Sequence, residues 1–358
     1  MTRFDRRRFT AAGLATAIAA GASRPAGAKD TITWRMATSW PTTLPLLHEA
    51  ALDFAQTVAR ASGGRMVIDV VDPGQHKQPV GVLDLVKSGE FALGHTTAQY
   101  YARQIPAIDY FTAVPFGLTA VENHIWMEEA GGRALFERIM AAHGVVPFLV
   151  GNTNVQMGGW YNREIKEPGD FQGLRIRVSG ITGTVLERFG AKPVGLPFGK
   201  IVEAFASRQI DAADVVGPAI DASLPIAEHA PYYYAPWHEP DVAMHLFVAK
   251  ARYDALPPDL KEILAVSARS AALRSIGRAQ HQNAIAMAKL LAAGVKTRRF
   301  PPALVKALQG ATEAVLIEAG GRDADSKAVI DSFRAVRDRA AAYAPLADGE
   351  VIATRLAQ

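Results

Sequence analysis

Apolar positions along the chain recur with two periods, and the two alternate. Strand-like alternation and short apolar runs predict β-strands at 31–37, 66–71, 91–95, 145–150, 174–178, 212–216 and 244–249. Apolar residues at helical spacing predict helices at 45–62, 80–88, 120–142, 182–189 and 200–207. Strands separated by helices indicate an α/β protein with largely parallel sheets.

The last third of the chain is predicted to be mostly helical. Residues 257–293 form one helical pattern that starts at Pro257-Pro258-Asp259 and ends at Gly294, and two more helices follow at 303–319 and 326–343. One helix of this length would extend about 55 Å and could brace two lobes. The alternative is two helices broken near Gly277.

Composition indicates a globular protein. The chain has 358 residues, of which 49% are hydrophobic and 21% charged, so it can bury a sizeable core in two lobes. There is no cysteine. Its absence excludes a disulfide scaffold, a thiolate metal site, a catalytic thiol and a thiol-linked lipid.

The net charge of +4 is confined to the N-terminus. Residues 1–28 hold five arginines and one aspartate, so the remaining chain is balanced and gives no bulk attraction for nucleic acid. Arg6-Arg7-Arg8-Phe9, a weakly apolar run and Ala26-Gly27-Ala28 follow one another in the order of a twin-arginine signal peptide. Residues 1–28 therefore predict export to the periplasm of a Gram-negative bacterium. The alternative is an arginine-rich cytosolic N-terminus.

Motifs of common enzyme classes are missing from the sequence. No glycine-rich nucleotide loop and no nucleophile elbow occur, and the histidines show no zinc spacing. His48-Glu49 begins like a zinc-protease motif, but Leu52 stands where the second histidine is required. Paired carboxylates for hydrolysis cannot be identified from spacing alone, so an enzyme stays an open alternative.

Two stretches have the composition of a small-molecule site. Residues 151–161 follow the apolar strand at 145–150 with amides, glycines and aromatics, which is typical of a ligand crevice at a strand end. Residues 232–239 place Glu239 among aromatic residues, where a carboxylate is costly unless it binds a cation. The alternatives are a turn-rich crossover and an aromatic patch that anchors a loop.

A set of motifs in this order resembles the substrate-binding proteins of tripartite ATP-independent periplasmic (TRAP) transporters. The resemblance is closest to the branch that binds 2-oxo or 2-hydroxy acids such as pyruvate. The segments that carry it are 34–41, Gly94-His95, Tyr100-Tyr101, 113–117, 151–160, 173–177, 209–214, 216–218 and 232–239.

The resemblance implies a two-lobed, periplasmic-binding-protein-like (Venus flytrap) fold with a long helix bridging the lobes. Lobe I would comprise 29–152 plus about 241–270, and lobe II 153–240 plus about 271–358. It also implies a protein without catalytic activity, which delivers a small organic monocarboxylate to membrane permease subunits.

The resemblance assigns the ligand carboxylate to Arg177, whose planar guanidinium can hold a carboxylate with two hydrogen bonds. Arg175 lies on the same face of the predicted strand, so spacing alone does not choose between the two. Tyr100 or Tyr101 and His245 match positions near the ligand, where they could orient it. A packing role for these three residues stays open.

The resemblance also implies a Na⁺ or Ca²⁺ ion that bridges protein and ligand. Gln156, Glu239 and the backbone carbonyl of Val215 match its ligands, and Asp214 adjoins them. All offer hard oxygen atoms, which these ions prefer over the ligands typical of zinc.

The sequence departs from that branch at two places. Asp214-Val215 stands where Glu-Trp is usual, and the lost indole should enlarge the pocket. His238-Glu239-Pro240-Asp241 stands where Trp-Glu-Gly-Gly is usual, which stiffens the loop and adds Asp241 as a possible ligand. A branched or aromatic 2-oxo acid is therefore as compatible as pyruvate.

Two functions follow from these residues. The first is a binding protein that closes two lobes around its ligand. The second is a periplasmic hydrolase or lyase that acts on a small carboxylic acid, with Glu239 and His238 as acid and base. The last helix could support a homodimer, although its alanine-rich faces also suit packing within one chain.

Overall fold

The computed structural model describes residues 31–357, and the predicted signal peptide lies outside them. Its strands are β1 (Ile32–Thr38), β2 (Met66–Val71), β3 (Leu93–Thr96), β4 (Val145–Asn152), β5 (Trp160–Tyr161), β6 (Arg175–Arg177), β7 (Lys192–Val194), β8 (Ala212–Ala213), β9 (Tyr232–Tyr234), β10 (Ala243–Ala249) and β11 (Lys296–Arg298). They form a five-stranded sheet in the order β2-β1-β3-β10-β4 and a six-stranded sheet in the order β11-β9-β5-β8-β6-β7.

Helices surround both sheets. The α-helices are α1 (Leu47–Ala61), α2 (Pro73–His76), α3 (Val82–Lys87), α4 (Ala120–Glu129), α5 (Gly132–Ala141), α6 (Gly180–Glu187), α7 (Ile201–Ala206), α8 (Pro218–Asp221), α9 (Lys250–Asp254), α10 (Pro258–Ala292), α11 (Pro302–Gly320), α12 (Ala324–Tyr343) and α13 (Asp348–Leu356). None of the helices within residues 31–357 is long and apolar enough to cross a membrane.

The two sheets are the centres of two lobes. In the first lobe β1 pairs in parallel with β2 and β3, whereas β10 runs antiparallel to β3 and β4. In the second lobe β6 pairs in parallel with β7 and β8, and β5 runs antiparallel to β8 and β9. The chain leaves the first sheet after β4 and returns to it at β10.

Two non-helical segments connect the lobes: the first crossing at 153–159 and the second crossing at 235–242. The chain also passes between the lobes through helix α10, which leads from β10 of the first sheet to β11 of the second. Backbone hydrogen bonds hold the two crossings side by side. Thr153 N donates to Val242 O (3.1 Å) and Gln156 N donates to Glu239 O (3.0 Å). Residues of both crossings are consequently fixed relative to each other.

The long helix is continuous from Pro258 to Ala292, with Gly277 in its interior. It packs on α1 and β4 of the first lobe and on α8 of the second. At its far end the Asn283 side chain accepts a hydrogen bond from the backbone N of Ala219 (3.0 Å). The single bridging helix that was predicted is thus confirmed, and the alternative break near Gly277 is absent.

Other elements differ from the sequence-based expectations. The helix predicted at 120–142 divides into α4 and α5, because Gly131 adopts a left-handed backbone with φ 86°. The strand predicted at 212–216 ends at Ala213, and 214–216 form a loop. Helix α12, expected with lobe II, packs on α4 and α5 of the first lobe, where Phe333 meets the ring of Trp126.

Candidate functional site

A cavity lies between the two sheets, beside both crossings. The first lobe contributes Trp40, Leu47, Thr97, Gln99, Tyr100 and Met244, the crossings contribute Thr153, Gln156, Glu239 and Val242, and the second lobe contributes Arg177, Ser179, Phe198, Asp214, Val215 and Val216. Its volume of about 30 Å³ corresponds to roughly two water molecules. The Gln99 side chain donates to Ser179 Oγ across the gap between the lobes (3.3 Å).

Arg177 reaches the cavity from the end of β6. Its side chain is 8% exposed, and its guanidinium lies over the ring of Phe198, 4.8 Å from the centroid. Nη1 donates to the backbone oxygen of Asp214 (2.6 Å) and Nε to that of Leu196 (3.3 Å). The guanidinium is therefore held in place, and the structure identifies no acceptor for Nη2 among the described residues.

Arg175 occupies a different environment, although only Ile176 separates it from Arg177. Its Nε and Nη2 donate to the two carboxylate oxygens of Asp211 (2.8 and 2.7 Å), and the side chain is 43% exposed. Arg175 thus forms a surface ion pair. Of the two arginines that spacing could not separate, Arg177 is the one at the cavity.

Gln156 and Glu239 face each other from the two crossings. Nε2 of Gln156 donates to Thr153 Oγ1 (3.1 Å), and its Oε1 is buried without a hydrogen-bond partner among the described residues. Glu239 is 3% exposed. Burial raises the pKa of Glu239 well above its usual range, the Asp214 carboxylate raises it further, and the Arg177 guanidinium opposes this.

Asp214 and His238 complete a cluster with Glu239. His238 Nε2 donates to Asp214 Oδ1 (3.1 Å), while Asp214 Oδ2 lies 4.0 Å from Arg177 Nη1. Side-chain ligand atoms of Asp214, His238 and Glu239 all lie within 4.8 Å of one another. From the sequence, His238 was named only as an acid or base of the alternative hydrolase and not as a ligand of the substrate or the metal. The available signal was its position next to Glu239, in a segment that departs from the related branch.

The Asp214–Gly217 loop is anchored at both ends. The Asp214 backbone N donates to Arg177 O (2.8 Å), Met157 N donates to Val216 O (3.0 Å), and Val216 N donates to the Asp221 carboxylate (3.1 Å). Val215 lines the cavity between these anchors.

This donor set fits a hard cation. The unpartnered Gln156 Oε1, the carboxylates of Glu239 and Asp214, and a backbone carbonyl at Val215 are oxygen ligands of the kind Na⁺ and Ca²⁺ take. Burial and the Asp214 carboxylate favour the neutral form of Glu239. A cation bound beside both carboxyl groups would favour the ionised form of Glu239 and offset the negative charge of the pair.

Asp241, the possible extra ligand, is engaged elsewhere. One of its oxygens accepts from Asn154 N (3.0 Å) and the other from the Asn152 side chain. Burial raises the pKa of Asp241 to about 6 against the effect of these hydrogen bonds. Asp241 therefore ties the second crossing to the first.

The aromatic candidates separate into two groups. Tyr100 lines the cavity beside Trp40, with 6.1 Å between ring centroids, and burial raises its pKa. Tyr101 instead packs in the core, where its hydroxyl accepts from Leu83 N (3.0 Å). His245 contacts the ring of Phe136, with centroids 5.0 Å apart.

Two fully buried histidines adjoin residues that line the cavity: His95 contacts Trp40, and His245 follows Met244 in the chain. Burial lowers the pKa of His245 to about 3, so this ring stays neutral. Burial likewise lowers the pKa of His95 to about 3, and its Nδ1 accepts a hydrogen bond from the indole Nε1 of Trp40 (3.1 Å). His95 thereby fixes the orientation of the Trp40 ring.

Comparison with known proteins identifies the family. The DctP profile, described as bacterial extracellular solute-binding protein, family 7, matches residues 36–320. The chain belongs to this family. Its members are receptors that bind a solute for transport, so the predicted family is confirmed.

Individual relatives of this DctP-family chain agree. It is 34% identical to a monocarboxylate 2-oxoacid-binding periplasmic protein of Nostoc sp. PCC 7120 over 313 residues, 87% of this chain and 86% of that protein. A TRAP periplasmic solute binding protein from Colwellia psychrerythraea, solved with calcium and pyruvate, has 32% identity and a TM-score of 0.89 over 91% of this chain and 100% of that one. Another, from Pseudoalteromonas atlantica with sodium and pyruvate, has 33% identity and a TM-score of 0.88 over 90% and 99%. The two-lobed fold is thus confirmed.

Proposed function

We propose that this protein binds a small 2-oxo or 2-hydroxy monocarboxylate together with Na⁺ or Ca²⁺ and delivers it to the permease subunits of a TRAP transporter. One observation carries the proposal: a buried guanidinium lines the same cavity as two carboxyl groups and an amide oxygen that has no hydrogen-bond partner among the described residues. The relatives that bind pyruvate with calcium or sodium support it.

Each part of the ligand has a matching group. Arg177 would bind the carboxylate through Nη2 and the remaining proton of Nη1. Gln156, Glu239, Asp214 and the Val215 carbonyl would hold the cation, which bridges to ligand oxygens when bound. Tyr100 would orient the ligand from the first lobe, and Tyr101 and His245 support that wall through packing.

The cavity also limits how the ligand enters. The cavity has room for roughly two water molecules, less than a 2-oxo acid occupies, so we expect the lobes to move apart before the ligand binds and to close around it afterwards. Motion at the two crossings supplies this change, because they connect the sheets beside the cavity. Lobe closure is the state that a permease would recognise.

The apolar wall indicates what the rest of the ligand contains. The apolar residues that line the cavity are Leu47, Phe198, Val215, Val216 and Met244. An aliphatic substituent on the 2-oxo acid would bury against them. We therefore include acids with side chains larger than that of pyruvate.

We also propose where the protein works and whether it forms a dimer. Residues 1–28 act as a twin-arginine signal, the protein works in the periplasm, and it releases its ligand unchanged. A second copy of the chain is a further partner, because the C-terminal segment exposes Tyr343, Leu346 and Leu356. Size-exclusion chromatography across a range of protein concentrations tests the homodimer.

Thermal unfolding tests the binding function. Purified protein is heated with pyruvate, lactate, larger 2-oxo acids or dicarboxylates, each with CaCl₂, with NaCl or with chelator. A ligand at about 100 times its dissociation constant adds roughly 2.7 kcal/mol of stability. Arg177→Met should abolish the shift, and Arg175→Met is the matched control that retains it. Stabilisation of both variants, or product formation from any acid, would contradict the proposal.

A further inference from the structure

We propose that His238 is a positioning residue that keeps the Asp214 carboxylate away from Arg177, so that the guanidinium stays available to a ligand carboxylate. The inference rests on the proposed function for the identity of that ligand. It assigns a role to a side chain that is 1% exposed and whose hydrogen bond among the described residues is to Asp214.

Asp214 and Arg177 are close enough to pair. Asp214 Oδ2 lies 4.0 Å from Arg177 Nη1, and both side chains are 8% exposed. A hydrogen bond between such charged groups is about 2.8 Å long, so a shift of about 1.2 Å would form it. Since little water reaches the pair, the attraction is stronger than on the surface.

Contacts on each side show which group can move. Arg177 is fixed by the Asp214 and Leu196 carbonyls and by the ring of Phe198. The Asp214 carboxylate has one side-chain hydrogen-bond partner among the described residues, His238 Nε2 at 3.1 Å, and its contact with Arg177 is longer. Because a carboxylate only accepts hydrogen bonds, His238 Nε2 is the donor. Loss of that donor frees the carboxylate to rotate toward Arg177.

In this arrangement Asp214 is available to the cation and Arg177 to the carboxylate of the ligand. Held by His238, Asp214 keeps its ligand atom within 4.8 Å of that of Glu239, on the cation side of the cavity. Arg177 then presents Nη2 to the cavity without a carboxylate on it. In the absence of His238, an incoming acid would have to displace Asp214 from the guanidinium.

Variants at position 238 test the inference. His238→Leu removes the donor, and His238→Gln keeps an N–H group that can reach Asp214. In the presence of CaCl₂, we expect pyruvate to bind about tenfold to a hundredfold more weakly to His238→Leu, the range for one hydrogen bond to a charged group. His238→Gln should recover most of the affinity. The proposal attributes the loss of affinity to the negative charge of Asp214. His238→Leu should therefore lower the affinity for pyruvate much less when Asp214 is already replaced by asparagine.

A second measurement needs no ligand. The guanidinium protons of Arg177, assigned with Arg177→Lys, should exchange more slowly in NMR spectra of ligand-free His238→Leu than in wild type, and Asp214→Asn should reverse the change. Unchanged exchange, or equal losses of affinity in both Asp214 backgrounds, would overturn the inference. If wild type binds no acid tested, the proposed function fails, and the exchange rates still decide the role of His238.

Discussion

Replacing Asp221 by alanine should destabilise the protein strongly and loosen the loop that carries Asp214 to the cavity. Asp221 is 1% exposed and accepts three hydrogen bonds, from Tyr233 Oη (2.6 Å), Trp160 Nε1 (3.1 Å) and Val216 N (3.1 Å). Alanine leaves three buried donors unpaired. Each costs about 1–3 kcal/mol, so we expect a loss of at least about 3 kcal/mol in the free energy of unfolding.

The same residue predicts a pH dependence. Burial raises the pKa of Asp221 to about 7, above the value of 3.8 for an exposed aspartate, while its hydrogen bonds oppose the rise. The folded state therefore binds the proton more tightly than the unfolded state does. The contribution of the protonated Asp221 carboxyl group to the free energy of unfolding is complete below pH 3.8 and is lost as pH rises through 7. Between pH 6 and pH 8 this loss amounts to about 1.4 kcal/mol.

Urea unfolding at pH 6, 7 and 8 measures both effects. Asp221→Asn removes the titration, so the difference between wild type and this variant should change by about 1.4 kcal/mol over that range. Asp254→Asn, at an exposed aspartate paired with Lys250, is the control and should stay within about 0.5 kcal/mol of wild type. A loss below 1 kcal/mol in Asp221→Ala, or a difference independent of pH, would refute the reasoning.

Three further substitutions have defined outcomes. Gly158→Ala places a Cβ 2.3 Å from the Ala235 carbonyl oxygen and should cost about 1–3 kcal/mol; an unchanged urea midpoint would argue against close contact between the crossings. Trp40→Phe removes the hydrogen bond from the indole to His95 and should weaken ligand binding several-fold, as measured by calorimetry. Unchanged affinity would show that the orientation of the indole does not affect binding. Glu239→Gln should remove the effect of CaCl₂ on ligand affinity; a retained effect would place the cation elsewhere.

Elements with their own periodicity were predictable from the sequence. Strand β4 and helix α10 contain enough apolar residues at one spacing to be recognised from the sequence. The predicted bounds of α10 differ from the observed ones by one residue at each end. Strands β5, β9 and β11 have two or three residues each, and they exist because they pair with segments far along the chain. Local patterns contain no information about such partners.

In the candidate site, too, some features were predictable from the sequence and others depend on residues far along the chain. The resemblance pointed to Arg177, but spacing could not separate it from Arg175, because the difference depends on Asp211, 36 residues beyond Arg175. Likewise, His238 is linked to the candidate site by its hydrogen bond to Asp214, which is 24 residues away in the chain. Residue types indicated the chemistry of the cavity, whereas the hydrogen-bond partners of each residue became visible only in three dimensions.

The paired crossings bear on the order in which the solutes bind. A pivot is the part of a hinged body that moves least, and Gln156 and Glu239 are at the pivot, joined by a backbone hydrogen bond. Their separation is set by that bond and not by the angle between the sheets. Arg177 belongs to the second lobe, and the Gln99–Ser179 hydrogen bond joins one lobe to the other, so both depend on the angle between the sheets. We therefore expect Gln156 and Glu239 to hold the cation in the open protein, and the acid, on reaching Arg177, to draw the second lobe inward so that Asp214 and Val215 complete the cation site.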